Sequence, residues 1–218
     1  MTDFAELRER MVERQIAARG IRDPRLLDAM RHVPREEFVS PEYGIQAYGD
    51  HPLPIEAGQT ISQPYIVALM IEAAGIGEGD RVLEVGAGSG YAAAVMSRIA
   101  AQVIAIERKP ELAEIARERL QRLGFVNATI VEGDGTRGWP DGAPYDAVLV
   151  AAAGSRVPQP LIDQLATGGR LVMPVGSRGW IQQLVKLTRF PDGRLERESL
   201  GEVRFVPLIG EEGWNESG

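Results

Sequence analysis

Residues 81–91, Arg81-Val82-Leu83-Glu84-Val85-Gly86-Ala87-Gly88-Ser89-Gly90-Tyr91, decide the fold. The stretch "RVLEVG" reads as a short apolar strand, and "YAAAVMSRIA", which starts at Tyr91, reads as a helix. Between them stand three glycines at alternate positions, Gly86, Gly88 and Gly90. Glycine lets a backbone turn sharply and lets a ligand come close. Open α/β sheets bind ligands in just such a place, the crevice at the carboxyl end of a central strand. A plain strand–helix turn does not need three glycines.

Outward from this loop, strands alternate with helices. "QVIAIE" is a strand, "PELAEIARERLQRLG" a helix with Pro110 in its first turn and Gly124 at its end, and "ATIVEG" a strand. "YDAVLVAAA" is a strand, "QPLIDQLATGG" a short helix and its turn, and "RLVMPVG" a strand. Short apolar strands are what a sheet covered on both faces requires. The alternation implies right-handed crossovers and a doubly wound, mostly parallel sheet. After Gly179, "WIQQLVKLTRF" and "RLERESLGEVRFVPL" flank an Asp192-Gly193 turn and read as an antiparallel edge.

The N-terminal part reads as a helical cap. Phe4, Leu7 and Met11 recur at helical spacing, with Gly20 as the stop. Asp23 is the expected N-cap of a second helix that starts at Pro24 and ends before Pro34. Residues 34–59 are rich in Pro, Gly and aromatics, as in an ordered loop. The expected division is one domain: N-terminal helices and a loop over 1–78, a ligand-binding core over 79–178, and edge strands with a tail over 179–218.

Composition narrows the function. The 218 residues carry 24 Lys+Arg against 31 Asp+Glu, a net charge of −7, which disfavours general nucleic-acid binding. There is no cysteine, so disulfides, thiolate metal sites and a Cys nucleophile are excluded together. No apolar run has the length of a membrane span and "MTDFAELRERMVERQ" has no signal-peptide character, so a soluble, cytoplasmic protein is expected. A monomer without a metal is expected as well.

The loop chooses between cofactors. A dinucleotide fingerprint is G-x-G-x-x-G, but here the third glycine comes one position early and Tyr91 fills its place. Glu84 would repel a pyrophosphate and suits a cation. S-adenosylmethionine carries a sulfonium and an ammonium and no phosphate. Glu107, at the end of the second strand, can accept from both ribose hydroxyls; the alternative is a solvated carboxylate starting a helix. Asp134 is either the partner of the adenine edge, with Gly135 leaving room for the ring, or part of an ordinary Asp-Gly turn. Together these point to the Rossmann-like fold of class I methyltransferases. No N/D-P-P-Y/F segment follows the fourth strand, which argues against amide or adenine N-methylation.

"GQTISQP", "VLEVGAGSGYAAAV", "IER", "GDGTRGW", "YDAVLVAAA", "VPQPLIDQLATGGRLVMPVG" and "VRFVPL" together resemble the protein-L-isoaspartate (D-aspartate) O-methyltransferase family. The likeness runs from about Leu7 to Pro207. It implies repair. The free α-carboxylate of an isoaspartyl residue is methylated, and the labile ester returns through succinimide to aspartate. D-aspartyl sites are left open by the sequence. Isoaspartyl proteins and peptides are the implied substrates and Ser62 the implied catalytic serine. Gln59, Thr60 and Ile61 would line the cofactor and acceptor pocket. Ala152 and Val206 would border the acceptor, and "VRFVPL" could add its backbone to an extended substrate. Beyond that ending stands Ile209, where relatives can carry a hydroxyl.

Ser62 itself admits three roles: N-cap of the helix ahead of "YIVALMIEAAG", nucleophile of a triad with Asp50 and His51, or hydroxyl donor to the acceptor. No G-x-S-x-G elbow supports the triad. A cap and a donor are compatible, because a helix N-terminus favours anions. His32 and His51 are the only histidines, and a carboxylate acceptor needs no base because it is ionised at neutral pH. The rivals are methylation of a small-molecule acid or an RNA, and an idle cofactor-binding domain.

Overall fold

The computed structural model describes residues 3–216. Helix α1 (Phe4–Met11) starts at Asp3, whose carboxylate accepts from the N–H groups of Ala5 and Glu6. A π-turn and a 3-10 turn carry it on to Gly20, which stops it at φ 105°. Helix α2 (Pro24–His32) has the expected Asp23 cap. The loop that follows is ordered by burial: Phe38, Val39, Ala47, Tyr48, Leu53 and Ile55 all enter the core. It ends in a small antiparallel pair, β1 (Leu53–Pro54) with β2 (Thr60–Ile61), and then helix α3 (Pro64–Ala74) begins.

The main sheet contains β3 (Arg81–Val85), β4 (Gln102–Glu107), β5 (Ala128–Glu132), β6 (Tyr145–Val150), β7 (Leu165–Val175), β8 (Gln182–Arg189) and β9 (Leu195–Val203). Its order is β5-β4-β3-β6-β7-β8-β9, parallel from β5 to β7 and antiparallel beyond. Helices α4 (Tyr91–Ser97), α5 (Pro110–Arg122) and α6 (Gln159–Asp163) make the connections. Two buried clusters lie against the sheet: Val82 joins the one that includes Met11, Val12, Leu26 and Leu120, whereas Leu83 and Val85 join the one that includes Leu161 and Leu165. Alternate side chains of one strand thus enter different cores, as the pleat requires. The edge strand β9 is largely exposed and charged, with Glu196, Arg197 and Glu198 near its start and Glu202 near its end, a composition that discourages further strand pairing.

Two expectations fail here. The short helix and turn expected over 159–169 is helical only to Asp163, and the strand expected from Arg170 begins earlier, at Leu165. Tyr145 pairs with Leu165 but Ala147 pairs with Arg170, so residues 166–169 loop out of register. Gly168 at φ 80° and the crowding of Gly169 against the Ala166 and Tyr145 carbonyls make that bulge possible. "VRFVPL" is likewise not a continuing strand. The chain leaves the sheet after Val203, and Ala153 takes both partners: its N–H donates to Val206 O (2.8 Å) and its carbonyl accepts from Leu208 N–H (2.8 Å). Those backbone groups are engaged and do not serve an extended substrate. Among the described residues no helix is long and apolar enough to cross a membrane, and no cluster of His, Cys, Asp and Glu could hold a metal.

Candidate active site

The glycine loop wraps the end of its neighbour strand. Gly86 and Ala87 N–H donate to Ile106 O at 2.9 and 3.0 Å, and Gly88 N–H donates to the Glu107 carboxylate at 3.0 Å. Gly86 and Gly88 have positive φ, 88° and 55°, the left-handed region that favours glycine. Above them is a cavity of about 330 Å³, lined by Glu84, Gly86, Gly88, Glu107 and Gly135 on the core side. Gln59, Thr60, Ile61 and Ser62 face it from the N-terminal segment, and Ala152, Val206 and Ile209 complete it.

Two buried carboxylates differ inside this cavity. Glu107 is satisfied by Gly88 N–H and Lys109 N–H, each at 3.0 Å. Glu84 has an oxygen, Oε2, that is buried with no hydrogen-bond partner. Burial, and next the neighbouring Glu107, push the Glu84 carboxyl well above the usual carboxylate range. Such a group favours a protonated state or a cationic partner.

A second cleft of about 720 Å³ opens beside the first. Thr60, Ser62, Ala151 and Val206 line both, so they form the wall where the two meet. The cleft continues over Gln63, Ile66, Ile181, Arg204 and Phe205. Phe205 N–H is held by Gln182 Oε1 at 2.9 Å, which fixes this floor to β8.

The family now follows from the sequence as a whole: residues 6–213 match the protein-L-isoaspartate(D-aspartate) O-methyltransferase family. This chain belongs to it. A protein-L-isoaspartate O-methyltransferase 1 of Rhodopseudomonas palustris (strain HaA2) is 59% identical, over 98% of this chain and 87% of the relative. A protein-L-isoaspartate O-methyltransferase 2 of Marinobacter nauticus is 54% identical, over 97% of each chain. Among solved structures, a protein-L-isoaspartate O-methyltransferase superposes with a TM-score of 0.85 at 33% identity, over 94% of this chain and 67% of that one. Another, a protein-L-isoaspartate O-methyltransferase from Plasmodium falciparum in complex with S-adenosyl-L-homocysteine, has a TM-score of 0.79 at 27% identity, over 93% of this chain and 98% of that one. The chain has the class I methyltransferase fold seen in these structures.

Several of the expected site residues stand differently from the sequence reading. Gly90, also at positive φ (89°), does not line the cavity; an added Cβ would lie 3.5 Å from Ala116 Cβ, so it serves the turn and the contact with α5. Asp134 does not line it either. Its Oδ1 accepts from Thr136 N–H (2.9 Å) and Oγ1 (2.7 Å), and its Oδ2 accepts from Glu211 N–H (2.8 Å). Partial burial raises its pKa, but these hydrogen bonds outweigh that, and the net pKa lies below the ordinary aspartate range. The Asp-Gly turn is real, and it clasps the C-terminal tail. Gly135 does line the cavity, but what demands glycine there is Val85, whose Cγ1 would be 2.4 Å from an added Cβ. Ser62 is not the N-cap of α3: Gln63 holds that position, with no side-chain cap bond. Proline at the first helical position removes one of the unpaired N–H groups at the helix start. Ala152 borders the first cavity only, and the residue shared with the cleft is Ala151. His32 and His51 line neither.

Sequence reasoning missed the tail and one arginine. The tail crosses the cavity rim through Leu208, Ile209 and Glu216. It is tied by Trp214 Nε1–H to Ala153 O (2.9 Å) and by Arg108 to Glu216 (2.6 Å). Arg35 is wholly buried, and among the described residues its hydrogen bonds go to carbonyls and to no carboxylate. Its Nε donates to Ala47 O and its Nη2 to Ser62 O, each at 2.7 Å, and its guanidinium lies 4.6 Å from the centre of the Tyr91 ring. Desolvation lowers its pKa. In the sequence it is one charge in "PREEF", with nothing to distinguish it from a solvated one.

Proposed function

We propose that this chain transfers a methyl group from S-adenosylmethionine to the free α-carboxylate of L-isoaspartyl residues in damaged proteins and peptides, giving the methyl ester that collapses to succinimide. Membership of the family carries this reading. The cavity fits the cofactor on its own evidence, because a buried carboxylate with an unpartnered oxygen, Glu84, lines it. Glu84 would hold the cationic methionine end, Glu107 the ribose hydroxyls, and Gly135 the edge of the adenine. When bound, the cofactor supplies an electrophilic methyl group on a sulfonium.

The chain's own residues then have little proton chemistry to do. A peptide carboxylate is already ionised at neutral pH and attacks without losing a proton. No histidine lines the site, in keeping with a reaction that needs no general base. Ser62, on the wall shared by cavity and cleft, would donate its hydroxyl to the acceptor and orient it. The helix α3 that starts two residues later adds the positive end of its dipole.

Matched Asp and isoAsp peptides with labelled S-adenosylmethionine test this. Base-labile label on the isoAsp peptide alone is the expected result. Equal labelling of both, or of neither, contradicts it.

A further inference from the structure

Gln63 follows Ser62 and also lines the acceptor-side cleft. The Ser62 carbonyl is held inward by the buried Arg35 guanidinium at 2.7 Å. The Ser62–Gln63 peptide is trans. In a trans peptide the C=O and the following N–H point in opposite directions. With the carbonyl on Arg35, the Gln63 N–H points away from Arg35, and both Ser62 and Gln63 line the cleft. That N–H makes no hydrogen bond among the described residues. A charged donor on the carbonyl also polarises the same peptide unit, which strengthens its N–H.

Arg35 is otherwise hard to explain. Burying a guanidinium with no counter-ion is costly. It has two carbonyls and the Tyr91 side chain beside it, and its Nη1 makes no well-formed hydrogen bond among the described residues. A neutral side chain would fill this space more cheaply if anchoring the loop were the only need.

We propose that the Gln63 backbone N–H is a second donor to the acceptor carboxylate, beside the Ser62 hydroxyl, and that Arg35 is the positioning residue that aims it. The two donors flank one anion, and the positive charge behind them faces it through the peptide. This rests on the cleft being the acceptor site.

The amide can be deleted almost cleanly. Gln63 has φ −48°, close to the about −65° that proline imposes. Gln63→Pro removes the N–H, and Gln63→Ala removes the same side chain but keeps it and is the reference. Initial rates are measured with an isoaspartyl peptide and with S-adenosylmethionine, each varied in turn. The peptide KM in Gln63→Pro is expected to be at least about tenfold that of Gln63→Ala, with the cofactor KM of the two within about twofold. Arg35→Met should raise the peptide KM similarly, and Arg35→Lys, which keeps the charge and one bond, should recover part of the loss. Equal peptide KM values in the two Gln63 variants overturn the proposal. So does Arg35→Lys behaving no better than Arg35→Met, a comparison that stands even where Gln63→Pro fails to fold. A wild-type protein that labels no isoAsp peptide would instead remove the functional reading beneath it.

Discussion

Two buried ionisable groups have no ionic partner among the described residues. Glu84 lines the glycine-loop cavity with an oxygen that no hydrogen bond satisfies, and Arg35 lies under the Ser62 carbonyl and against the Tyr91 ring. A structural ion pair would have brought such groups together. On the proposed function each would be kept for one ligand: an anion for a sulfonium and an ammonium, a cation for a carboxylate. The difference would then be a division of labour. Side chains would meet the cofactor directly. A hydroxyl would meet the acceptor, together with, through one peptide unit, a charge that never touches it.

The comparison breaks most visibly at Glu84. Glu84→Gln removes the anion with almost no change of shape, and S-adenosylmethionine affinity should fall by about 100-fold, about 3 kcal/mol. Calorimetric titration measures this, and a change under about threefold would show that the carboxylate is not the cation's partner. Next comes the acceptor side. Ser62→Ala should lower kcat/KM for an isoaspartyl peptide by about tenfold, with cofactor affinity little changed. Steady-state rates in the variant decide it, and an unchanged rate would remove Ser62 from the site.

The smallest effect is on stability, and its sign follows from the raised pKa of Glu84. The folded chain keeps that proton to a higher pH than the unfolded chain does. Between the two pKa values the native state therefore binds more protons, and stability falls as pH rises through the window. Glu84→Gln has no such slope. In cofactor-free thermal melts from about pH 5 to about pH 8, the variant's Tm should gain on that of the wild type as pH rises. Parallel curves would mean that Glu84 is not held protonated.

The cofactor half of this arrangement is legible in the sequence because it is local. Strand, glycines and acid lie within residues 81–91, and a second acid ends the next strand, so periodicity and spacing place them. The acceptor half is assembled from segments far apart, Arg35, Ser62, Ala151 and Val206, and no short pattern links them. Ser62 was identifiable through the family's motif, but its supposed cap was not there, because Pro64 begins α3 and leaves Gln63 as the cap position. Gly90 and Asp134 carry the right residue types for ligand contact yet serve α5 and the tail. Spacing gives the types of groups near a site. Which way each one faces is set by packing, as Val85 against Gly135 and Glu211 against Asp134 illustrate.

The division of labour is tested most directly by crossing the two charges. Initial rates for Glu84→Gln and Arg35→Met are measured over a grid of S-adenosylmethionine and isoaspartyl-peptide concentrations. The prediction is a double dissociation: Glu84→Gln raises the cofactor KM by at least about tenfold and the peptide KM by less than about twofold, and Arg35→Met does the reverse. Two variants that raise both constants together would contradict it, and would make Glu84 and Arg35 parts of one structural network.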